Sequence, residues 1–153
     1  MTFWEALLSN EVLVCSVVGW TVAQVLKTII DFSLNKSFSV ERLVGSGGMP
    51  SSHSATVCSL TTSAGLCYGV GSFQFAVSFV LASVVMYDAI GVRQETGKQA
   101  KLLNMIMEQD LFKMDNEHFQ QKLKEFVGHT PLQVMAGAVL GILLTLLIHQ
   151  SYI

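Results

Sequence analysis

The sequence predicts an all-α polytopic membrane bundle, with about four transmembrane helices and an amphipathic, charged helical segment between helices three and four. Three observations lead there. First, 51% of the 153 residues are hydrophobic and only 13% are charged, against roughly 25% charged in a soluble domain. Second, thirteen of the Asp, Glu, Lys and Arg residues lie between Asp88 and Glu125, while Leu43 to Tyr87 and Phe126 to Ile153 contain none. A 45-residue stretch without a formal charge fits a bilayer and few other surroundings. Third, the polar residues inside the apolar stretches gather near one end of each stretch.

These figures argue against a disordered or collagen-like chain and against an ordinary soluble domain. The net charge of −2 and the scattering of nine Lys plus Arg argue against a nucleic-acid partner. One domain over residues 1–153 is expected. Met1 to Asn10 has no basic n-region and carries Glu5, so it does not read as a cleavable signal. Cys15, Cys58 and Cys67 sit in apolar stretches and read as buried small hydrophobes.

A span needs about 20 mainly apolar residues. Val12 to Ile30 meets this, interrupted by Gln24 and Lys27. Ser54 to Val70 is rich in Ser, Thr, Ala and Gly, too polar to face lipid all round. It is expected inside the bundle, where small residues permit close approach. Phe73 to Ile90 is apolar until Asp88, and Leu132 to Ile148 carries Gly137-x-x-x-Gly141 on one face. Only Gly69 to Ser72 separates spans two and three. The longer connections are Asp31 to His53 and Gly91 to Gly128. In the latter, Phe119, Leu123, Phe126 and Val127 recur at helical spacing, suggesting an amphipathic helix on the membrane surface or over the bundle.

With four spans, those two connections share a side. They hold Lys36, Arg42, Arg93, Lys98, Lys101, Lys113, Lys122 and Lys124, and Lys27 lies at the same end of span one. Both termini and the short connection hold no Lys or Arg. The positive-inside rule therefore places loops 31–53 and 91–128 in the cytoplasm, in a plasma or organelle inner membrane, with both termini outside.

Gln24, Lys27, Ser51, Ser52, His53, Asp88, Arg93, His129 and Gln133 all lie at that end. Clustering from four helices favours a site, because snorkelling residues would be divided between both faces. In Gly47-Gly48-Met49-Pro50-Ser51-Ser52-His53-Ser54, glycines permit a tight turn and a serine can cap the helix that follows. A helix N-terminus suits an anion, and His53 beside it can supply a proton. The alternative is a plain turn, a serine cap and an incidental His. His129 enters span four with Gln133 one turn later, so the amide can orient the imidazole. Here the alternative is a structural or interfacial His.

Pro50-Ser51-Ser52-His53 and His129-x-x-x-Gln133-Val134-x-Ala136-Gly137 together resemble two motifs of the type 2 phosphatidic acid phosphatase and vanadium haloperoxidase superfamily. The match looks closer still to its divergent, uncharacterised branch, through Gly47 to Ala55, Asp88 to Arg93 and Gly128 to Pro131. The resemblance covers nearly the whole chain. It implies a membrane-embedded lipid phosphate phosphohydrolase in which His129 attacks phosphorus and His53 protonates the leaving group. Lys27, Ser51, Ser52 and Arg93 would bind phosphate, with Gln133, Asp88, Gln24 and Asp31 supporting. No metal or other cofactor is expected. His118 and His149 have no partners at ligand spacing in the sequence.

The expected partners are a phosphorylated lipid or isoprenoid substrate and the membrane, with a homodimer as a further option. Departures from the pattern are Leu34 and Asn35 in place of Arg-Pro, Leu123 in place of Arg, and Gln133 in place of Asp. They support a second reading, a non-catalytic membrane protein that binds a phosphorylated head group or partner in a degenerate pocket. A haloperoxidase is a distant third.

Overall fold

A computed structural model of the chain describes residues 2–35, 48–108, 123 and 129–152, and of these the side chains of 34, 35, 93, 94, 107 and 108 lie outside the description. Lys36, Arg42, Lys113, His118, Lys122 and Lys124 lie outside it too, as does the helix expected around Phe119 to Val127 apart from Leu123. Six helices occur among the described residues: α1 (Phe3–Leu8), α2 (Glu11–Asn35), α3 (Ser52–Tyr68), α4 (Phe73–Ile90), α5 (Val92–Glu108) and α6 (Pro131–His149). No strand is present among them.

Local chemistry sets the helix ends. Asn10 Oδ1 accepts from the Leu13 amide as α2 begins. Ser51 caps α3, and Gly69 ends it at φ +83°, a conformation that favours glycine. Ser72 caps α4, and Thr130 with Gln133 forms a capping box at α6, with Pro131 in the first turn.

Among the described residues, three segments contain helix long and apolar enough to cross a membrane: Glu11–Ser33, Phe73–Ile106 and Pro131–His149. Helix α3 has 17 residues and is about 25 Å long, somewhat less than the roughly 30 Å hydrocarbon core. It packs against α2, α4 and α6, while α2 also meets α6. Among α2, α3, α4 and α6, the most polar helix is thus the central one. Its inward residues are small: Ser54, Ala55, Ser59, Ser63 and Ala64 are all buried. Large apolar residues such as Val80, Val84, Leu143 and Leu147 point outward, where lipid would cover them.

Glycine sets the closest approach. A Cβ at Gly137 would overlap the Ser51 carbonyl, and one at Gly141 would overlap that of Ala55. Two glycines one turn apart therefore lie on two carbonyls one turn apart, which draws α6 onto α3. Ser59 Oγ donates to the Gly141 carbonyl at 3.1 Å, and Thr145 Oγ1 donates to it at 2.9 Å. Helix α5 is a charged helical segment between the third and fourth spans, as expected, and it lies at Val92–Glu108, ahead of the 119–127 stretch whose spacing suggested it. Its Asn104 is buried and bonds both the amide and the carbonyl of Leu123, at 3.0 and 2.9 Å. This pairing ties α5 to the segment that leads back to α6.

Candidate active site

The segment before α3 is non-helical, and its last two residues, Pro50 and Ser51, are buried. Such backbone is tolerated at membrane depth only where protein satisfies it. Here the Ser51 amide donates to the Gln133 carbonyl at 3.0 Å. Gly48 has φ +85°, and its backbone lies against the Lys27 stem, where a Cβ would approach Lys27 Cγ to 3.0 Å. Glycine is required there for both reasons.

Lys27 is 2% exposed, and its Nζ donates to Gln24 Oε1 at 2.6 Å. A cation this deep needs polar partners. Asp31 follows one turn later on α2 and is half-buried.

Helix α6 brings the second motif to the same level. The His129 amide donates to the Ala89 carbonyl of α4 at 3.0 Å, which fixes its backbone beside Asp88. The ring is buried at 4% exposure, with Nδ1 3.2 Å from Gln133 Oε1. That oxygen also accepts from the Thr130 amide at 3.1 Å. Because a backbone N–H can only donate, the amide is oriented with its oxygen toward both groups. Nδ1 is then the protonated nitrogen and Nε2 the basic one.

His53 lies in the first turn of α3 and is exposed. Its ring centroid is 6.4 Å from that of His129, with the planes inclined by 56°. A phosphoryl oxygen accepts hydrogen bonds at about 2.7–3.2 Å, so both rings can reach one phosphoryl group placed between them. Ser51 Oγ accepts from the amide and hydroxyl of Ser54, at 3.4 and 3.0 Å. Ser52 is buried at the start of the helix.

Contacts therefore join Gln24, Lys27 and Gly48 in one group and Ser51, Gln133, His129 and His53 in another, with Gly48 and Ser51 on the same short turn. Asp31 and Asp88 lie at the same end of the bundle. Arg93 opens α5, but its side chain is outside the description. Sequence reasoning did not find the Gly48–Lys27 packing, the Ala89 anchor or the Asn104 clamp. A glycine pair before Pro50 was the only available signal for the first.

A family model described as "Divergent PAP2 family" matches residues 8–144. The chain belongs to the Divergent PAP2 family. A relative from Bacillus subtilis (strain 168), "Uncharacterized membrane protein YuiD", is 39% identical over 151 residues, covering 93% of this chain and 96% of its own. No solved structure matches the chain. The apolar helices agree with the membrane setting that the relative's name gives, so this member of the Divergent PAP2 family is a membrane protein with a fold related to that phosphatase group.

Proposed function

We propose that the chain is a metal-independent phosphohydrolase of lipid phosphates, working through a phosphohistidine. The observation that carries this reading is the pair of imidazoles 6.4 Å apart, one of them hydrogen-bonded through Nδ1 to Gln133. His129 Nε2 attacks phosphorus and the bond from phosphorus to the leaving oxygen breaks. His53 gives that oxygen its proton. Water then attacks the phosphohistidine, His53 takes the water's proton, and phosphate leaves. Lys27, Ser51, Ser52 and Arg93 hold the equatorial oxygens where charge develops, while Gln24, Asp31 and Asp88 support them.

A site at membrane level favours an amphiphile: phosphatidate, phosphatidylglycerophosphate or an isoprenoid diphosphate. The positive-inside bias places the site at the cytoplasmic face. Phosphate release from a panel of detergent-solubilised lipid phosphates tests the reading. Turnover of one class, blocked by orthovanadate as a mimic of the pentacoordinate transition state, is expected. A second reading, head-group binding without turnover, is favoured by Gln133, since a neutral amide orients an imidazole but lends an imidazolium no charge. Tight binding of the same lipids with no phosphate release would select it.

A further inference from the structure

The opposite end of the bundle carries a second cluster. Glu11 opens α2, Cys67 lies in the last turn of α3, and His149 ends α6. One donor atom from each, a carboxylate oxygen, the thiol sulfur and a ring nitrogen, lie within 4.8 Å of one another. His149 Nδ1 and Glu11 Oε1 are 2.5 Å apart, with side-chain exposures of 22% and 12%. Along the helices these residues stand about 24, 21 and 30 Å from Lys27, His53 and His129 respectively, at about 1.5 Å per residue. The cluster is therefore no part of the imidazole recess.

An ion pair accounts for two of the three groups. The third, the Cys67 thiol, is a hydrogen-bond neighbour of the same carboxylate, so all three donors already converge on one point. A divalent cation turns all three into ligands. The donor set decides which cation: Mg²⁺ and Ca²⁺ take oxygen ligands, whereas Zn²⁺ accepts nitrogen, sulfur and oxygen together. Tetrahedral bonds of about 2.0–2.3 Å place such donors roughly 3.3–3.8 Å apart. The Glu11–His149 contact must open by about an ångström to reach that geometry, within the range of side-chain torsions. Exposure of Cys67 leaves the fourth position to water.

We propose that Glu11, Cys67 and His149 form a three-donor site for a borderline transition-metal ion, Zn²⁺ foremost, that clamps the far ends of α2, α3 and α6. A metal held by three helices favours the folded chain by mass action. Sequence spacing hides the site because its donors come from three distant segments.

Co²⁺ is the probe. The full chain, purified in detergent with its thiols reduced, is titrated with Co²⁺ and then challenged with Zn²⁺, Mg²⁺ or Ca²⁺. About one Co²⁺ per chain is expected, with a thiolate-to-cobalt charge-transfer band that Zn²⁺ removes and Mg²⁺ or Ca²⁺ does not. Cys67→Ser should abolish the band, and Glu11→Gln or His149→Ala should weaken binding about tenfold or more. Site-resolved alkylation of the unaltered chain covers the case of a variant that fails to fold: Zn²⁺ should slow modification of Cys67 at least tenfold. A band that survives Cys67→Ser, stoichiometric binding without a sulfur band, or no protection of Cys67 at saturating Zn²⁺ would each overturn the proposal.

Discussion

The backbone carbonyl of Gln133 accepts the Ser51 amide at 3.0 Å, so one residue joins the serine turn to the segment that carries His129. Its side chain simultaneously accepts from His129 Nδ1 and the Thr130 amide. Replacement of the side chain leaves the backbone contact in place and separates the two roles. Gln133→Leu should lower turnover roughly a hundredfold, within the range general acid–base groups contribute, with little change in substrate KM. Gln133→Asp should raise turnover if the imidazolium lacks a charged partner, or leave it unchanged if Asp88 or Asp31 already serves. Steady-state kinetics on one lipid phosphate reads both. An unchanged rate in Gln133→Leu would remove the tautomer argument.

The two histidines differ in surroundings, and their replacements should differ in kind. His129 is buried and held through Nδ1, as a nucleophile requires. His129→Ala should abolish turnover and any acid-quenched phosphoenzyme. His53 is exposed at the start of α3, where a leaving oxygen would collect its proton. His53→Ala should slow alkyl phosphates about 10²–10⁴-fold but affect a nitrophenyl phosphate far less, because nitrophenolate leaves without protonation. Full activity in His129→Ala would end the assignment of roles.

Glycine packing makes a prediction about stability. Gly137 and Gly141 contact the carbonyls of Ser51 and Ala55. Gly141→Ala and Gly137→Ala should each destabilise the bundle by about 1–3 kcal/mol, the usual cost of overpacking. Only Gly137→Ala should also lower the specific activity of the folded fraction, because the displaced carbonyl belongs to the serine turn. Thermal aggregation in detergent and activity per folded chain measure the two effects. Equal specific activities would show that the turn tolerates the shift.

Much of this architecture was legible in the chain because membranes enforce simple rules. Phe73–Ile90 has the same limits as apolar run and as helix, since Ser72 and Gly91 stop it chemically. The polarity of α3 foretold its place inside the bundle, and the one face that carries Gly137 and Gly141 is the face that meets it. A charged helix between the third and fourth spans was expected, but its limits were not: Glu95, Lys98 and Lys101 gave no clear apolar stripe, although Lys98 pairs with Glu95 across one turn at 2.6 Å. At the site, residue types and their common level could be read, but not pairings between helices. The contacts of Gly48 with Lys27, and of His129 with Ala89, depend on tertiary approach. His149 has no partner at ligand spacing in the sequence, yet the fold sets it against Glu11, 138 residues away in the chain.

Orientation follows from charge and can be tested directly. The nine-to-zero Lys/Arg bias predicts that residue 113 faces the cytoplasm and residue 152 the opposite side. In a background with Cys15, Cys58 and Cys67 replaced by Ala, Lys113→Cys should resist an impermeant maleimide in intact cells and react after lysis. Tyr152→Cys should react in intact cells. Labelling of position 113 from outside would invert the topology and move the imidazole recess to the outer face.

Asn104 offers a test of how the return segment is held. Its side chain donates to the Leu123 carbonyl at 2.9 Å and accepts from the Leu123 amide at 3.0 Å, a two-bond clamp from a buried position. Leu123 stands six positions before His129 in the chain, so the clamp holds a point close to the imidazole in sequence. Net hydrogen-bond contributions of about 0.5–1.5 kcal/mol each suggest that Asn104→Ala frees the segment without unfolding the bundle. Amide exchange at Leu123 should then accelerate roughly tenfold or more, since about 1.4 kcal/mol corresponds to a factor of ten. Asn104→Asp keeps the acceptor but sets a second acceptor against the Leu123 carbonyl, so its effect should equal or exceed that of Ala. Turnover should decline in the same order if His129 depends on this anchor, and stay constant if the Ala89 contact alone suffices. Unchanged exchange at Leu123 in Asn104→Ala would show that the clamp does not hold the segment.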